Sequence, residues 1–207
     1  MPTLEIESRC RAAGHAQVAG VDEAGRGPLA GPVMAAAVIL PADFMHAVLN
    51  DSKQLSPKQR EQIYAELKAD ARLHISSASA SVEEIERLNI LRASHLAMER
   101  AVRGLPREPD ICIIDGLPVP RFPWRHEGIV KGDGLSLSIA AASIIAKVER
   151  DQFMLAADAE YPQYGFAAHK GYGTPLHLTR LREHGPCPLH RRTFQPVAQL
   201  TLALGAG

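Results

Sequence analysis

Four carboxylates stand where charge is costly. Val18-Ala19-Gly20-Val21 runs into Asp22 and Glu23, and Ile111-Cys112-Ile113-Ile114 runs into Asp115. Asp133 sits in Val130-Lys131-Gly132-Asp133-Gly134, just ahead of a long apolar stretch. An acid at the end of an apolar strand is unfavourable unless something cationic meets it there. No Cys-x-x-Cys pair or matching histidine set accompanies these acids, so they form a hard oxygen site that suits Mg²⁺ or Mn²⁺ and not zinc. Two such ions about 4 Å apart, bridged by a shared carboxylate, can activate a water and stabilise the leaving oxygen of a phosphodiester. Taken singly, each acid also fits a helix cap or a solvated turn.

Directly after the first pair of acids comes Gly25-Arg26-Gly27-Pro28-Leu29-Ala30, which matches the G-x-G-x-x-A pattern of dinucleotide-binding loops. That pattern works by opening a helix whose N-terminus meets a pyrophosphate, whereas here Pro28, Gly31 and Pro32 intervene and a strand-like run follows. The glycines instead offer a backbone without Cβ atoms beside the acids, open to close approach by a ligand, and Arg26 adds a phosphate-capable side chain. A dinucleotide-binding protein using Gly25, Gly27 and Ala30 is the rival reading, and a catalytically silent binding protein is a second one.

The elements that must position these residues follow from periodicity. Strands are expected over 17–21, ending at Asp22, over 32–40, and over about 73–81. Ser56 and Gln59 form a capping box that opens a helix at Pro57 and carries it to about Asp70. Ser81 and Glu84 repeat the signal. Ile85, Leu88, Leu91, His95, Met98 and Val102 then predict one long amphipathic helix that stops at Gly104, with His95 as a satisfied core histidine. Residues 111–114 read as a buried strand and 137–159 as a mostly buried helix; Thr174-Pro175 opens one more helix, closed by Gly185. Strands alternating with helices indicate a mixed α/β sheet covered on both faces, with its site at the C-terminal ends of the parallel strands.

At 207 residues, 46% hydrophobic and 22% charged, the chain is long enough for one domain with a sizeable core, and disordered, collagenous and coiled-coil classes are set aside. Net charge is zero, but five Lys and Arg face Glu183 alone after residue 160. An acidic body with a basic tail suits a polyanion that touches the tail while a cation sits in the body. His169, His177, His184 and His190 lack the spacing of a zinc pair and are read as polyanion contacts or surface residues. Cys10, Cys112 and Cys187 are read as packing residues in a reducing compartment. The N-terminus resembles no signal peptide, and the longest apolar run, 33–40, is too short to span a bilayer. A cytoplasmic protein with no membrane partner is expected.

Together these stretches resemble ribonuclease HII, the bacterial type 2 ribonuclease H. Val21-Asp22-Glu23-Ala24-Gly25-Arg26-Gly27-Pro28-Leu29-Ala30-Gly31-Pro32-Val33 is similar to the opening signature of that family. Asp51-Ser52-Lys53-Gln54-Leu55, Ile114-Asp115-Gly116, Lys131-Gly132-Asp133, Ala141-Ala142-Ser143-Ile144-Ile145-Ala146-Lys147-Val148-x-Arg150-Asp151, Tyr164-Gly165-Phe166-x-x-His169-Lys170-Gly171-Tyr172-Gly173-Thr174 and His190-Arg191-Arg192-Thr193-Phe194 follow in family order.

The resemblance implies a ribonuclease H-like α/β fold. Its mixed five-stranded sheet is flanked by helices, in one catalytic domain with a core over about 17–160 and a basic helical C-terminal part over about 161–207. It implies an endonuclease that cuts the RNA strand of RNA/DNA hybrids and nicks duplex DNA 5′ to embedded ribonucleotides by a two-metal mechanism, leaving 3′-hydroxyl and 5′-phosphate ends. Asp22, Glu23, Asp115 and Asp133 match the catalytic acids; Asp22, Glu23 and Asp115 are the expected ligands of two Mg²⁺ or Mn²⁺ ions, with Asp22 bridging. Gly25, Arg26 and Gly27 match the loop whose backbone reads the 2′-hydroxyl, and Tyr172 matches the tyrosine that packs on the ribonucleotide sugar. Lys53 and Lys170, with Lys147, Arg191 and Arg192, are expected phosphate contacts. Gly134 departs from the family pattern, and a looser Asp133 is the expected consequence. The tail Gln199-Leu200-Thr201-Leu202-Ala203-Leu204 is similar to a sliding-clamp-docking peptide with Ala203 in the aromatic position, so a weak clamp contact is weighed against packing on the chain's own domain. A monomer is expected.

Overall fold

Strands apolar on both faces belong in the middle of a sheet, and the second strand shows why. Ala35, Ala37 and Ile39 pack in one buried cluster, while the alternating Ala36, Val38 and Leu40 pack in another on the opposite face. The computed structural model describes residues 1–46, 48–49 and 55–204. In chain order the elements are α1 (Glu5–Ala12), β1 (Val18–Ala24), β2 (Val33–Ile39), α2 (Pro57–Ala69), β3 (His74–Ala80), α3 (Val82–Leu88), α4 (Ile90–Arg103), β4 (Ile111–Asp115), β5 (His126–Ile129), α5 (Leu137–Glu160), α6 (Phe166–His169), α7 (Pro175–His184) and α8 (Val197–Leu204). The sheet has five strands in the order β3-β2-β1-β4-β5. β1 runs antiparallel to β2 and parallel to β4, and β4 runs parallel to β5.

Small side chains let the layers close tightly. Ala93, Ala97 and Ala101 of α4 cover one face of the sheet, and Ala140, Ala141, Ile144 and Ile145 of α5 cover the other, each fully buried. Burying one such isoleucine contributes about 2 kcal/mol. A Cβ on Gly20 would stand 2.2 Å from the Ser138 carbonyl carbon. The glycine therefore lets the start of α5 lie directly on β1, on the same face of the strand as Asp22.

Two expectations need correction, and two elements were not expected at all. β1 does not end at Asp22 but continues to Ala24, because β2 pairs with it as far as Ala24 opposite Met34. The single helix expected after Ser81 is two helices. Asn89 adopts φ 70° between them and accepts from Arg92 N at 3.1 Å, ending α3 and capping α4. The apolar spacing runs straight across the break, which hid it. α1 and the edge strand β5 carried no signal, since Glu5–Ala12 is mostly polar and His126–Ile129 has no apolar alternation. Glu7 anchors α1 by accepting from Ser136 Oγ at 2.6 Å and Ser138 N at 2.9 Å at the head of α5. The capping box at Ser56 and the helix bounds 57–69 are as expected.

The C-terminal histidines were expected to meet a polyanion or the solvent; His184 is exposed, but His169, His177 and His190 are buried. Their partners assign the tautomers. His177 donates from Nδ1 to Tyr172 O at 2.9 Å, and His190 donates from Nε2 to His177 Nε2 at 3.0 Å. Cys187 N in turn donates to His190 Nδ1 at 3.0 Å. Burial pushes both His177 and His190 down to about 4. The unfolded chain therefore takes up these protons first as pH falls below about 6.5, and each costs up to about 1.4 kcal/mol of stability per pH unit until the folded value is passed. Melting temperature is expected to drop from pH 7 to pH 4.5, and less steeply in His177→Asn. Equal slopes would show that these imidazoles are not buried neutral.

Candidate active site

Parallel pairing of β1 with β4 brings Val21 level with Ile114, so Asp22 and Asp115 leave the sheet side by side. Asp115 Oδ1 accepts from Gly132 N at 2.7 Å, which ties the end of β4 to the single 3-10 turn Gly132–Gly134. Lys131 enters that turn at φ 58°, and the turn delivers Asp133. Carboxylate oxygens of Asp22, Asp115 and Asp133 lie within 4.8 Å of one another. Asp22 and Asp133 are buried, at 4% and 6% exposure. Gly134 has no atom within 4 Å of a would-be Cβ.

Asp22 is pushed well above the usual carboxylate range, first by burial and then by the charges of Glu23 and Asp115; Ser143 on α5 and the Glu23 N–H, at 2.7 Å, oppose the rise. Burial also raises Glu23, against the pull of Arg26. Three hard oxygen donors on one spot, with Asp22 in a setting that resists its ionisation, fit a divalent cation. Glu23 was expected among the ligands, yet it stands outside this set of three, and its Oε1 accepts from Arg26 Nη1 at 3.1 Å.

Above the acids is a cleft of about 310 Å³, lined by Asp22, Glu23, Asp115, Gly25, Arg26, Gly27 and Tyr172. After the glycines the chain enters β2, not a helix, so the loop lacks the helix N-terminus that a dinucleotide site needs. Tyr172 is 44% exposed, and a Cβ on Gly27 would be 4.0 Å from its Cε1. Glycine loop and tyrosine ring thus form facing walls. Lys147 Nζ is 5.9 Å from the ring centre and Arg60 lines the same cleft. Arg60 escaped the sequence reading and Ser143 was given no site role there, because nothing in a helix pattern says which polar residue faces a site.

The expected phosphate contacts divide. Lys147 lines the cleft, although it also pairs with Asp151 at 2.7 Å, and Arg192 is exposed. Lys170 hydrogen-bonds the Ala167 carbonyl beside a neighbouring cleft that Lys147 and Arg60 share. Lys53 lies outside the described residues. Arg191 is corrected outright: it is fully buried, and its guanidinium donates to the carbonyls of Gly25, Arg26, Gly31 and Pro32. His95 is half-buried in a cleft between α4 and Phe122, with no hydrogen-bond partner among the described residues, so it is not the satisfied core histidine expected. Burial and the Arg26 charge lower its pKa. The three cysteines are free and buried, as expected of packing residues.

Residues 19–197 match the family model described as Ribonuclease HII. The chain is 58% identical over 185 residues to the ribonuclease HII of Albidiferax ferrireducens, covering 88% of each chain. Its fold is similar to the crystal structure of ribonuclease H2 from Pyrococcus horikoshii OT3, with TM-score 0.78 and 25% identity over 92% of this chain and 100% of that one. It is also similar to ribonuclease HII of Archaeoglobus fulgidus in its PCNA complex, with TM-score 0.70 and 23% identity over 86% of this chain and 95% of that one. The mixed five-stranded sheet, the acidic cluster at its parallel edge and these matches agree: the chain has the ribonuclease H-like α/β fold and belongs to the ribonuclease HII family of metal-dependent ribonuclease H hydrolases.

Proposed function

We propose that this ribonuclease H cuts the RNA strand of RNA/DNA hybrids and also nicks duplex DNA on the 5′ side of an embedded ribonucleotide, leaving a 3′-hydroxyl and a 5′-phosphate. One observation carries the reading. Asp22 and Asp115, two of the three clustered aspartates, line a cleft whose walls are the glycine-flanked backbone of Arg26 and a tyrosine ring. Asp22, Asp115 and Asp133 would hold the divalent ions, two Mg²⁺ or Mn²⁺ in the working complex, with Glu23 at the edge of the set. Ions bound there would supply the positive charge that acidifies water and offsets the charge developing on the phosphodiester.

The chain's own residues do the selecting. Exposed Arg26 and Gly27 bring main-chain groups against the sugar, and Tyr172 closes on it from the other side. A 2′-hydroxyl is then the feature that separates ribose from deoxyribose at one position. Lys147, Lys170 and Arg192 are proposed contacts to flanking phosphates, where each adds affinity without reading sequence. We take the chain to act as a monomer and one catalytic domain, since every member of the acidic set comes from this chain. No helix among the described residues is long and apolar enough to cross a membrane. Three free cysteines suit the cytoplasm. For the tail we favour packing over clamp docking, because Val197 and Leu200 of α8 sit against Leu29 and Leu181.

The test is a duplex of DNA carrying one ribonucleotide, incubated with Mg²⁺, Mn²⁺ or chelator beside an all-DNA control. A metal-dependent nick 5′ to the ribonucleotide, absent from the control, is expected. Binding without cutting under either metal would favour a silent hybrid binder and overturn the proposal.

A further inference from the structure

Two arginines lie beneath the glycine loop with no acid to neutralise them. Arg150 of α5 and Arg191 are both fully buried. Every hydrogen bond either makes among the described residues goes to a main-chain carbonyl. Arg150 donates to Pro32, Ala30 and Lys170, and Arg191 to Gly25, Arg26, Gly31 and Pro32. Asp151, whose charge reaches Arg150, is hydrogen-bonded to Lys147. Burying paired cations is costly, and burial together with the Arg150 charge pulls Arg191 down to about 9. Such an arrangement has to be held by the rest of the fold.

What the arginines do is set peptide planes. The Gly25-Arg26 and Arg26-Gly27 bonds are trans, so in each the N–H points opposite to the carbonyl. Arg191 Nη2 holds Gly25 O at 2.6 Å and Nη1 holds Arg26 O at 2.9 Å, both on the buried side. The N–H groups of Arg26 and Gly27 therefore face away from that side, towards the cleft that these exposed residues line. Neither N–H has an acceptor among the described residues. The geometry points to Arg191, braced by Arg150, as the positioning residue that turns two adjacent amide donors into the cleft and so sets the discrimination for an oxygen on the substrate sugar. A planar fork holds two carbonyls side by side in a fixed orientation, whereas lysine's compact, freely rotating ammonium fixes neither peptide plane.

This inference rests on the glycine loop being the sugar-reading element. Its test uses an Asp22→Asn background, so that nothing is cut, and compares affinity for a duplex with one ribonucleotide against an all-DNA duplex. The background protein is expected to prefer the ribonucleotide duplex. Adding Arg191→Lys is expected to shrink that preference about tenfold, as loss of well-aligned hydrogen bonds would, while leaving all-DNA affinity unchanged. A preference that survives in folded Arg191→Lys overturns the inference and leaves the loop reading intact. No preference in the background protein itself overturns the loop reading, and the inference with it. Should Arg191→Lys fail to fold, amide NMR of the unaltered protein in chelator decides. Arg26 and Gly27 N–H signals that move with the ribonucleotide duplex and not with all-DNA support the inference, and unmoved signals overturn it.

Discussion

Gly25→Ala is expected to destabilise the protein by about 2–4 kcal/mol and to abolish cleavage, the strain and overpacking falling on one residue. Gly25 has φ 96°, a region that favours glycine, and a Cβ there would stand 2.0 Å from Arg150 Nε and 2.9 Å from the Pro32 carbonyl. Neither neighbour can give way easily. Arg150 is tied by its three nitrogens to Pro32, Ala30 and Lys170, and Pro32 O also accepts from Arg191. The loop would have to lift, carrying Arg26 and Gly27 away from Tyr172. Gly134→Ala is the internal control: it meets nothing within 4 Å and has no positive φ, so a change within about 0.5 kcal/mol is expected. Thermal melting and cleavage rate of the two variants check the contrast. A Gly25→Ala protein as stable and active as its parent would show that the buried arginines do not fix the loop.

That arrangement explains what the residue pattern could and could not disclose. Asp22, Glu23 and Asp115 stood out because each follows an apolar run, and the glycines after the first pair because their spacing is unusual. The convergence of Asp133 with Asp22 depends on a hydrogen bond from Gly132 N to Asp115 and on a turn entered at positive φ, neither of which has a local signature. Arg191 was misjudged for a different reason. A lone arginine in a basic tail reads as solvated, and the carbonyls that bury it lie about 160 residues earlier in the chain. His177 and His190 failed in the same way, since their partners are backbone groups and each other. Helix signals were dependable where a capping box marked the start, at Ser56 and Ser81. They were not dependable at Asn89, where the apolar stripe continued through a break. The edge strand β5 is held by pairing with β4, with no apolar face of its own to announce it.

The remaining prediction concerns the acids themselves. Asp22 is the most confined of the three, buried at 4% exposure between the charges of Glu23 and Asp115. Asparagine fills the same space and can still accept from the Glu23 N–H. It removes the one charge whose neighbours most resist its ionisation, so without metal the variant is expected to melt no lower than its parent. With metal the balance reverses, because a neutral amide is a poor ligand for a hard divalent cation. Loss of that charge is expected to slow cleavage at least about a thousandfold, the scale of several kcal/mol of transition-state stabilisation. Hybrid affinity, carried by the glycine loop, Tyr172 and the cationic rim, is expected to persist. The most direct test is single-turnover cleavage of an RNA/DNA hybrid in Mn²⁺ by parent and Asp22→Asn, with hybrid affinity measured on the same preparations. Lost cleavage with retained affinity is the predicted result; cleavage within about tenfold of the parent, too small a loss for a removed metal ligand, would contradict the assignment of this aspartate cluster as the catalytic metal site.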